Sequence, residues 1–279
     1  MKSALRIMID GIPFFPVPVR LKCSTAGTVD FWWSRFVAEF DISRNGMIYR
    51  GSENGDLEFM KRYLKTGMTY LDVGAYHGLY AVVAGRQVGH AGKVVLFEPS
   101  IAACRRARLN LFLNRVDARV ENVAVTDESG VVLYHQIVNG YKTMGALRRP
   151  ASADPVRTRR VRSISLDDYC RTIECSRIDL LKIDAEGAEL SVFSGATYVL
   201  EELRPVIICE VLDWVTEPWG YQAKEIIEKV SSHEYRWFDM DGEGTLTEHS
   251  NRDAYPEIRN YLAVPRERIE NVCSVTLKS

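Results

Sequence analysis

Tyr70-Leu71-Asp72-Val73-Gly74-Ala75-Tyr76-His77-Gly78 is the stretch that decides how the rest of the chain is read. An apolar run ends at Val73 and a helical pattern opens at Leu79, so the stretch is a strand-to-helix turn. Gly74 lets the chain turn tightly and lets a ligand approach the backbone. Gly78 lets the helix begin close to the sheet. A dinucleotide site would need G-x-G-x-x-G to seat a pyrophosphate on the helix N-terminus. Here the middle glycine is missing, and an acid, Asp72, stands two residues before Gly74. A ligand with an ammonium and a sulfonium, and no phosphate, suits that arrangement better. Glu98 ends the next strand, 24 residues after Gly74. There its carboxylate can accept hydrogen bonds from both hydroxyls of a ribose. Turn and acid together point to a nucleoside pocket.

Outward from this turn, strands are expected at 69–73, 93–97, 118–123, 131–136, 179–184, 206–211, 235–240 and 261–264. Helices are expected at 56–65, 79–88, 100–113, 188–203 and 222–232. Strands alternating with helices imply βαβ units and a parallel sheet covered on both faces. The last two strands have only a polar loop between them, so they pair antiparallel. The expectation is a Rossmann-like α/β domain whose seven-stranded, mostly parallel sheet has an antiparallel last strand, with 131–136 as an accessory strand. Residues 137–158 lack periodicity and contain Gly140, Gly145, Pro150 and Pro155; so long a loop is functional or disordered. Residues 1–50 are irregular and rich in Pro and aromatics, fitting a lid or a subunit contact. The chain divides into an N-terminal extension (1–53), the main domain (54–266) and a C-terminal tail (267–279).

The composition is that of an ordinary globular protein: 279 residues, 46% hydrophobic, 26% charged, with a formal net charge of −1. A broad electrostatic grip on nucleic acid is not indicated. The run Arg148, Arg149, Arg157, Arg159, Arg160, Arg162 is the one local basic patch. None of the six cysteines forms a C-x-x-C pair, and a chain this long needs no disulfide staples, so a reducing cytoplasm is the simpler expectation. No apolar run reaches membrane-spanning length. Asp10, Pro13, Pro16 and Pro18 interrupt the N-terminal apolar stretch, which argues against a signal peptide.

The chain resembles the FkbM-type methyltransferase family. The matching pieces are Leu71-Asp72-Val73-Gly74-Ala75 with Gly78 and Tyr80, then Gly92-Lys93-Val94 running into Phe97-Glu98-Pro99. Asn110, Asn114 and Val123-Ala124 follow. The most specific piece is Asp179-Leu180-Leu181-Lys182-Ile183-Asp184-Ala185-Glu186-Gly187-Ala188-Glu189, followed by Gly195-Ala196, Pro205 and Glu210. The resemblance covers about residues 53–265. It implies the class I methyltransferase variant of the fold, S-adenosyl-L-methionine as cofactor with S-adenosyl-L-homocysteine as product, and O-methylation of hydroxyls on sugars, polyketides and related metabolites. It places Glu53, Asp72, Gly74, Ala75, Tyr76, Gly78, Tyr80, Glu98, Pro99, Ser100, Asn122, Val123, Ala124 and Asp184 at the cofactor. Tyr76-His77 departs from the family, where an Asn and an aliphatic residue are commoner.

Leu180, Lys182 and Asp184 share one strand face, so Asp184 lies at the strand's carboxyl end, where ligands of such sheets bind. Methyl transfer from a sulfonium is an in-line displacement. It rests on alignment of the three reacting atoms and on loss of the acceptor's proton. Asp184 is the first candidate for the base, with Glu210 and His77 as substitutes and Glu186 and Lys182 also eligible. Asp184 could equally be a helix cap, Glu186 a first-turn acid, and Lys182 a structural partner of Glu210 across adjacent strands. Asp184, Glu186, Glu189 and Glu210 would suit a hard cation, although nothing in their spacing requires one, and no metal is expected. The acceptor is expected to be a small molecule or sugar hydroxyl, with neither nucleic acid nor membrane as partner. A homo-oligomer formed through the N-terminal segment is possible. Competing readings are a nucleic-acid or N-methyltransferase, which would need a base-orienting Pro-Pro-Tyr motif where Asp184-Ala185-Glu186-Gly187 stands, and a non-catalytic nucleoside-binding subunit.

Overall fold

The computed structural model describes the strand backbones within residues 7–49 and, with side chains, residues 55–137, 145–150 and 155–275. Its centre is an eight-stranded sheet. From one edge to the other run Leu246–Glu248, Tyr235–Met240, Asn260–Pro265, Val206–Glu210, Leu180–Ile183, Thr69–Val73, Lys93–Phe97 and Arg119–Glu121. The five strands from Val206–Glu210 to Arg119–Glu121 are parallel, and Asn260–Pro265 is antiparallel to both its neighbours. This is the Rossmann-like α/β fold with an antiparallel last strand. The sheet has one strand more than the seven expected. After the turn at 241–244, Leu246–Glu248 pairs with Tyr235–Met240 as an edge strand. That segment is short and polar, so periodicity does not reveal it.

Strand alternation gives the sheet two apolar faces. One carries Tyr70, Leu180, Val206, Ile208 and Leu262 beneath the helices Asn54–Tyr63 and Leu79–Val88. The other carries Leu71, Val73, Leu181, Ile183, Ile207 and Cys209 against Leu166–Thr172, Glu189–Ser194 and Lys224–Ser231. The helix expected over 188–203 is interrupted. Glu189–Ser194 ends at Gly195, and a separate π-helical turn covers Val199–Leu203. A Cβ at Gly195 would overlap the backbone of Thr126 and Asp127, and the Asp167 carboxylate accepts from the amides of Tyr198 and Val199 to start the second segment. Residues 267–275, expected as a tail, include the helix Ile269–Ser274, whose Val272 is buried in the core.

A second, four-stranded sheet stands beside the first, in the order Ala124–Val125, Val156–Ile164, Gly130–Ile137, Gly145–Ala146. The accessory strand expected at 131–136 is thus the middle of a larger ribbon. Val156–Ile164, whose first three residues fall in the stretch expected as loop, is its longest strand. The backbone of the N-terminal segment, read as irregular, contains a hairpin, Ile7–Ile9 with Ile12–Phe14. It also holds a small sheet in the order Gly27–Trp32, Pro18–Cys23, Gly46–Tyr49, Phe40–Ser43.

Candidate active site

Chain order reverses between Thr69–Val73 and Leu180–Ile183, which makes their carboxyl ends the switch point where such sheets bind ligands. The two ends touch through backbone. Gly74 has φ 77°, and a Cβ there would run into the Asp184 carbonyl. Asp184 N donates to Val73 O at 3.1 Å, and the amides of Gly74 and Ala75 donate to Phe97 O at 3.0 and 3.2 Å. The turn is therefore pinned to both neighbouring strands. At Gly78 (φ 79°) a Cβ would press on Ala107 and Leu96 at 3.3 Å, so the glycine admits the helix Ile101–Leu113. Tyr76 adopts a left-handed conformation, φ 47°, that glycine normally fills. Its amide donates to Glu98 Oε2 at 3.0 Å.

Glu98 joins the turn to the second strand. Its other oxygen accepts from Ser100 N at 2.7 Å. Burial pushes the carboxyl up to about 7 against the pull of those two amides. Each oxygen keeps a second lone pair that can meet a ribose hydroxyl. Asn122 Nδ2 donates to the carbonyls of Glu98 and Pro99 at 2.9 and 3.0 Å. Ser100 Oγ caps the next helix by accepting from Ala103 N. Val123 and Ala124 are buried behind this corner. Glu53 lies outside the described residues.

The wall opposite is acidic. Asp72 is 1% exposed, and among the described residues neither of its carboxylate oxygens has a well-formed hydrogen bond, the buried Tyr70 hydroxyl being its nearest candidate donor; burial raises it to about 6 while Lys182 pulls the other way. Lys182 Nζ is 2.9 Å from Asp184 Oδ2 and 4.4 Å from the centre of the Tyr80 ring. The Tyr80 hydroxyl donates to Asp56 at 2.7 Å, and Asn260 donates to the same oxygen. The expected pairing of Lys182 with Glu210 is not formed. Lys182 is level with Ile208 in the register, whereas Asp184 follows on the same face of its own strand. Glu210 is driven well above the usual carboxylate range, first by burial and then by Asp184, Glu189 and Glu186. Glu186, also left-handed at φ 53°, rises to about 8 by burial and the charge of Asp184. Glu189 is fully buried; its Oε1 accepts from Ala185 and Gly187 amides at 2.7 and 3.3 Å, so it shapes the turn after Asp184. His77 is buried, with Nε2 2.7 Å from Arg106 Nη1 and its ring stacked on Tyr76. Burial and the Arg106 charge hold its pKa far below the usual imidazole value.

The profile of the methyltransferase FkbM domain matches residues 72–237, more than half of the chain. The chain belongs to this family. Among curated proteins no sequence matches. Solved structures similar to it include an O-methyltransferase from Bacillus cereus in complex with SAH (16% identity, 81% of this chain and 82% of that chain, TM-score 0.40). An rRNA methylase from Streptococcus thermophilus is also similar (12% identity, 75% and 91%, TM-score 0.41). So is a SAM-dependent O-methyltransferase from Thermotoga maritima (12% identity, 81% and 77%, TM-score 0.41).

Three neighbours of the site carry no sequence signal. Asp56 begins a helix yet reaches Tyr80 and Asn260 beside Lys182. Trp219 donates from Nε1 to Glu186 O at 3.3 Å, and a Cβ at Gly187 would overlap its ring. Tyr134, on the accessory ribbon, is buried and lies within the electrostatic reach of Glu98, Glu186 and Tyr76. All three arrive from distant parts of the chain, where spacing gives no warning.

Proposed function

We propose that this methyltransferase uses S-adenosylmethionine to methylate a hydroxyl of a small molecule or sugar, with Asp184 as general base. The observation that carries the assignment is the setting of Asp184. It is held by a cation, Lys182, and its side chain is 26% exposed at the switch point. Asp72, Glu98 and Glu189 are each 5% exposed or less. An acceptor hydroxyl could therefore meet Asp184 and lose its proton to it. The cofactor fits the residues present. The two unpartnered oxygens of Asp72 suit the methionyl ammonium, the bare backbone at Gly74 admits close approach, and Glu98 has lone pairs for the ribose. When bound, the cofactor supplies a methyl group made electrophilic by its sulfonium. Glu210 is the substitute base. His77 is the weaker alternative because Arg106 already engages its Nε2.

Cys104, Cys170, Cys175, Cys209 and Cys273 are free thiols, which supports a reducing compartment such as the cytoplasm. Among the described residues no helix is long and apolar enough to cross a membrane. Residues 1–53 suit a lid or a contact between subunits, given their prolines and aromatics. Two measurements test the reading. Calorimetry should detect both S-adenosylmethionine and its demethylated product, and no NAD. Mass spectrometry of extract incubated with protein and methyl-labelled cofactor should find the label on oxygen; label on nitrogen, or none, would overturn it.

A further inference from the structure

The helix Leu166–Thr172 and the strand Leu180–Ile183 are joined by a tight turn, and Cys170 and Cys175 stand at its two ends. Two backbone bonds define it. Cys175 N donates to Cys170 O at 2.8 Å, and Glu174 N donates to Arg171 O at 3.3 Å. Glu174 is left-handed, with φ 50°. One such bond nested inside the other, with a left-handed residue at the bend, is the Schellman ending of a helix. In that ending the side chains at the two outer positions meet across the turn. Here those positions are Cys170 and Cys175. Both pack into the same apolar layer, Cys170 at 1% exposure inside it and Cys175 partly buried at its margin.

The setting differs from that of two other described cysteines. Cys104 and Cys209 are buried, and their thiols donate to the carbonyls of Glu98 at 3.1 Å and Glu210 at 3.3 Å. Cys175 lies between the exposed residues Glu174 and Ser176, so a small reagent can reach it. The α-carbons on either side of a single 2.8 Å amide–carbonyl bond are about 5–6.5 Å apart, inside the span of a disulfide. The Cys170 thiol holds the Cys175 thiol below its usual range, whereas Cys175 and burial push Cys170 up. Cys175 is therefore suited to attack an oxidant, and Cys170 to resolve the product.

We infer that Cys170 and Cys175 form a reversible intrachain disulfide, which makes the turn ahead of the strand Leu180–Ile183 a site of oxidation by small disulfides. With glutathione disulfide as oxidant, the Cys175 thiolate attacks one sulfur, that S–S bond breaks, and one glutathione thiolate leaves. Cys170 then gives its proton to solvent, and its sulfur attacks Cys175. The mixed disulfide breaks and the second glutathione leaves. The two cysteines lose two electrons, the oxidant gains them, and the two thiol protons end on the two glutathiones. The link ties the end of the helix Leu166–Thr172 to the segment that enters the strand carrying Lys182.

The test equilibrates the full chain with mixtures of reduced and oxidised glutathione, quenches it with iodoacetamide and cuts it with trypsin. Cleavage after Arg171 falls between the two cysteines, so the bond is read as peptide 163–171 joined to peptide 172–177. The joined pair should grow with the share of oxidised glutathione and exceed any pairing of the other cysteines by roughly tenfold or more. Dithiothreitol should return both peptides singly. Cys170→Ala should stop at glutathione on Cys175. Cys175→Ser, a change at the margin of the core that keeps the comparison if Cys170→Ala fails to fold, should leave Cys170 unmodified. No joined pair at any glutathione ratio, a pair that forms only in urea, or equal joining of other cysteines overturns the inference. So does wild-type Cys175 that stops at its glutathione adduct, which would make it a reactive thiol without a resolving partner.

Discussion

The two ends of the strand Leu180–Ile183 treat their acids in opposite ways. At the amino end, Asp179 is 4% exposed and well supplied with donors. Oδ2 accepts from Thr69 N at 2.8 Å, and Oδ1 accepts from Arg177 Nε at 2.8 Å and Nη2 at 2.7 Å. At the carboxyl end, acids outnumber donors. Lys182 pairs with Asp184, the Asp72 oxygens have no well-formed hydrogen bond among the described residues, and Glu186 and Glu210 are both raised by burial and then by Asp184 and Glu189. Buried carboxylates in a finished structure are normally satisfied. Asp179 follows that rule because it only has to hold two strands together. The carboxyl-end acids depart from it, and a cationic ligand seated among them would supply what they lack.

The strongest way to break this contrast is to neutralise the acid assigned to the chemistry. Asp184→Asn should lower single-turnover methyl transfer by about 10²–10⁴-fold at saturating cofactor, with little change in cofactor affinity. A rate within about threefold of wild type would remove Asp184 as the base, and a loss confined to cofactor affinity would make it a positioning acid. Gly74→Ala comes next. The left-handed φ and the overlap with the Asp184 carbonyl should together cost about 3 kcal/mol of stability in urea denaturation and abolish cofactor binding. Wild-type stability in that variant would mean that the two strand ends are not in backbone contact.

Much of the carboxyl end was legible in the sequence because its signals are local. Gly74 and Gly78 sit at fixed offsets from a strand end, and Glu98 closes the next strand. Alternation along 179–184 put Lys182 and Asp184 on one face. The partner of Lys182 was misjudged because register between strands decides it, and register is not written in either strand alone. Val156–Ile164 escaped notice for a different reason. Its arginines on both faces erase the apolar–polar alternation that marks a half-buried strand. The polar edge strand Leu246–Glu248 was missed on the same ground. Asp56, Tyr134 and Trp219 were invisible as site neighbours because only tertiary packing delivers them.

A smaller effect should come from the amino end. Asp179→Ala leaves the buried amide of Thr69 without its acceptor, and we expect about 2 kcal/mol of destabilisation in urea. Methyl transfer per folded molecule should be unchanged, since this carboxylate serves only to hold strands. A loss of rate as large as that of Asp184→Asn would erase the distinction between the two ends.

The smallest effect, and the sharpest in sign, concerns Glu189. Burial raises its carboxyl from the usual 4.5 to about 7. A carboxyl raised in the folded state contributes stability that is fully present below its unfolded pKa and is lost as pH rises through the folded one. The wild-type protein, free of cofactor, should therefore lose stability through this group as pH rises from 4.5 to about 7. Glu189→Gln keeps an oxygen for the amides of Ala185 and Gly187 but cannot ionise. The two proteins should be equally stable near pH 5, and the variant should be more stable near pH 8. Nearby carboxylates take up protons as Glu189 releases one, which trims the difference to about 1 kcal/mol. Urea denaturation at the two pH values measures it. A difference that stays constant from pH 5 to 8, or a variant less stable at pH 8, would show that Glu189 is not held protonated by its burial.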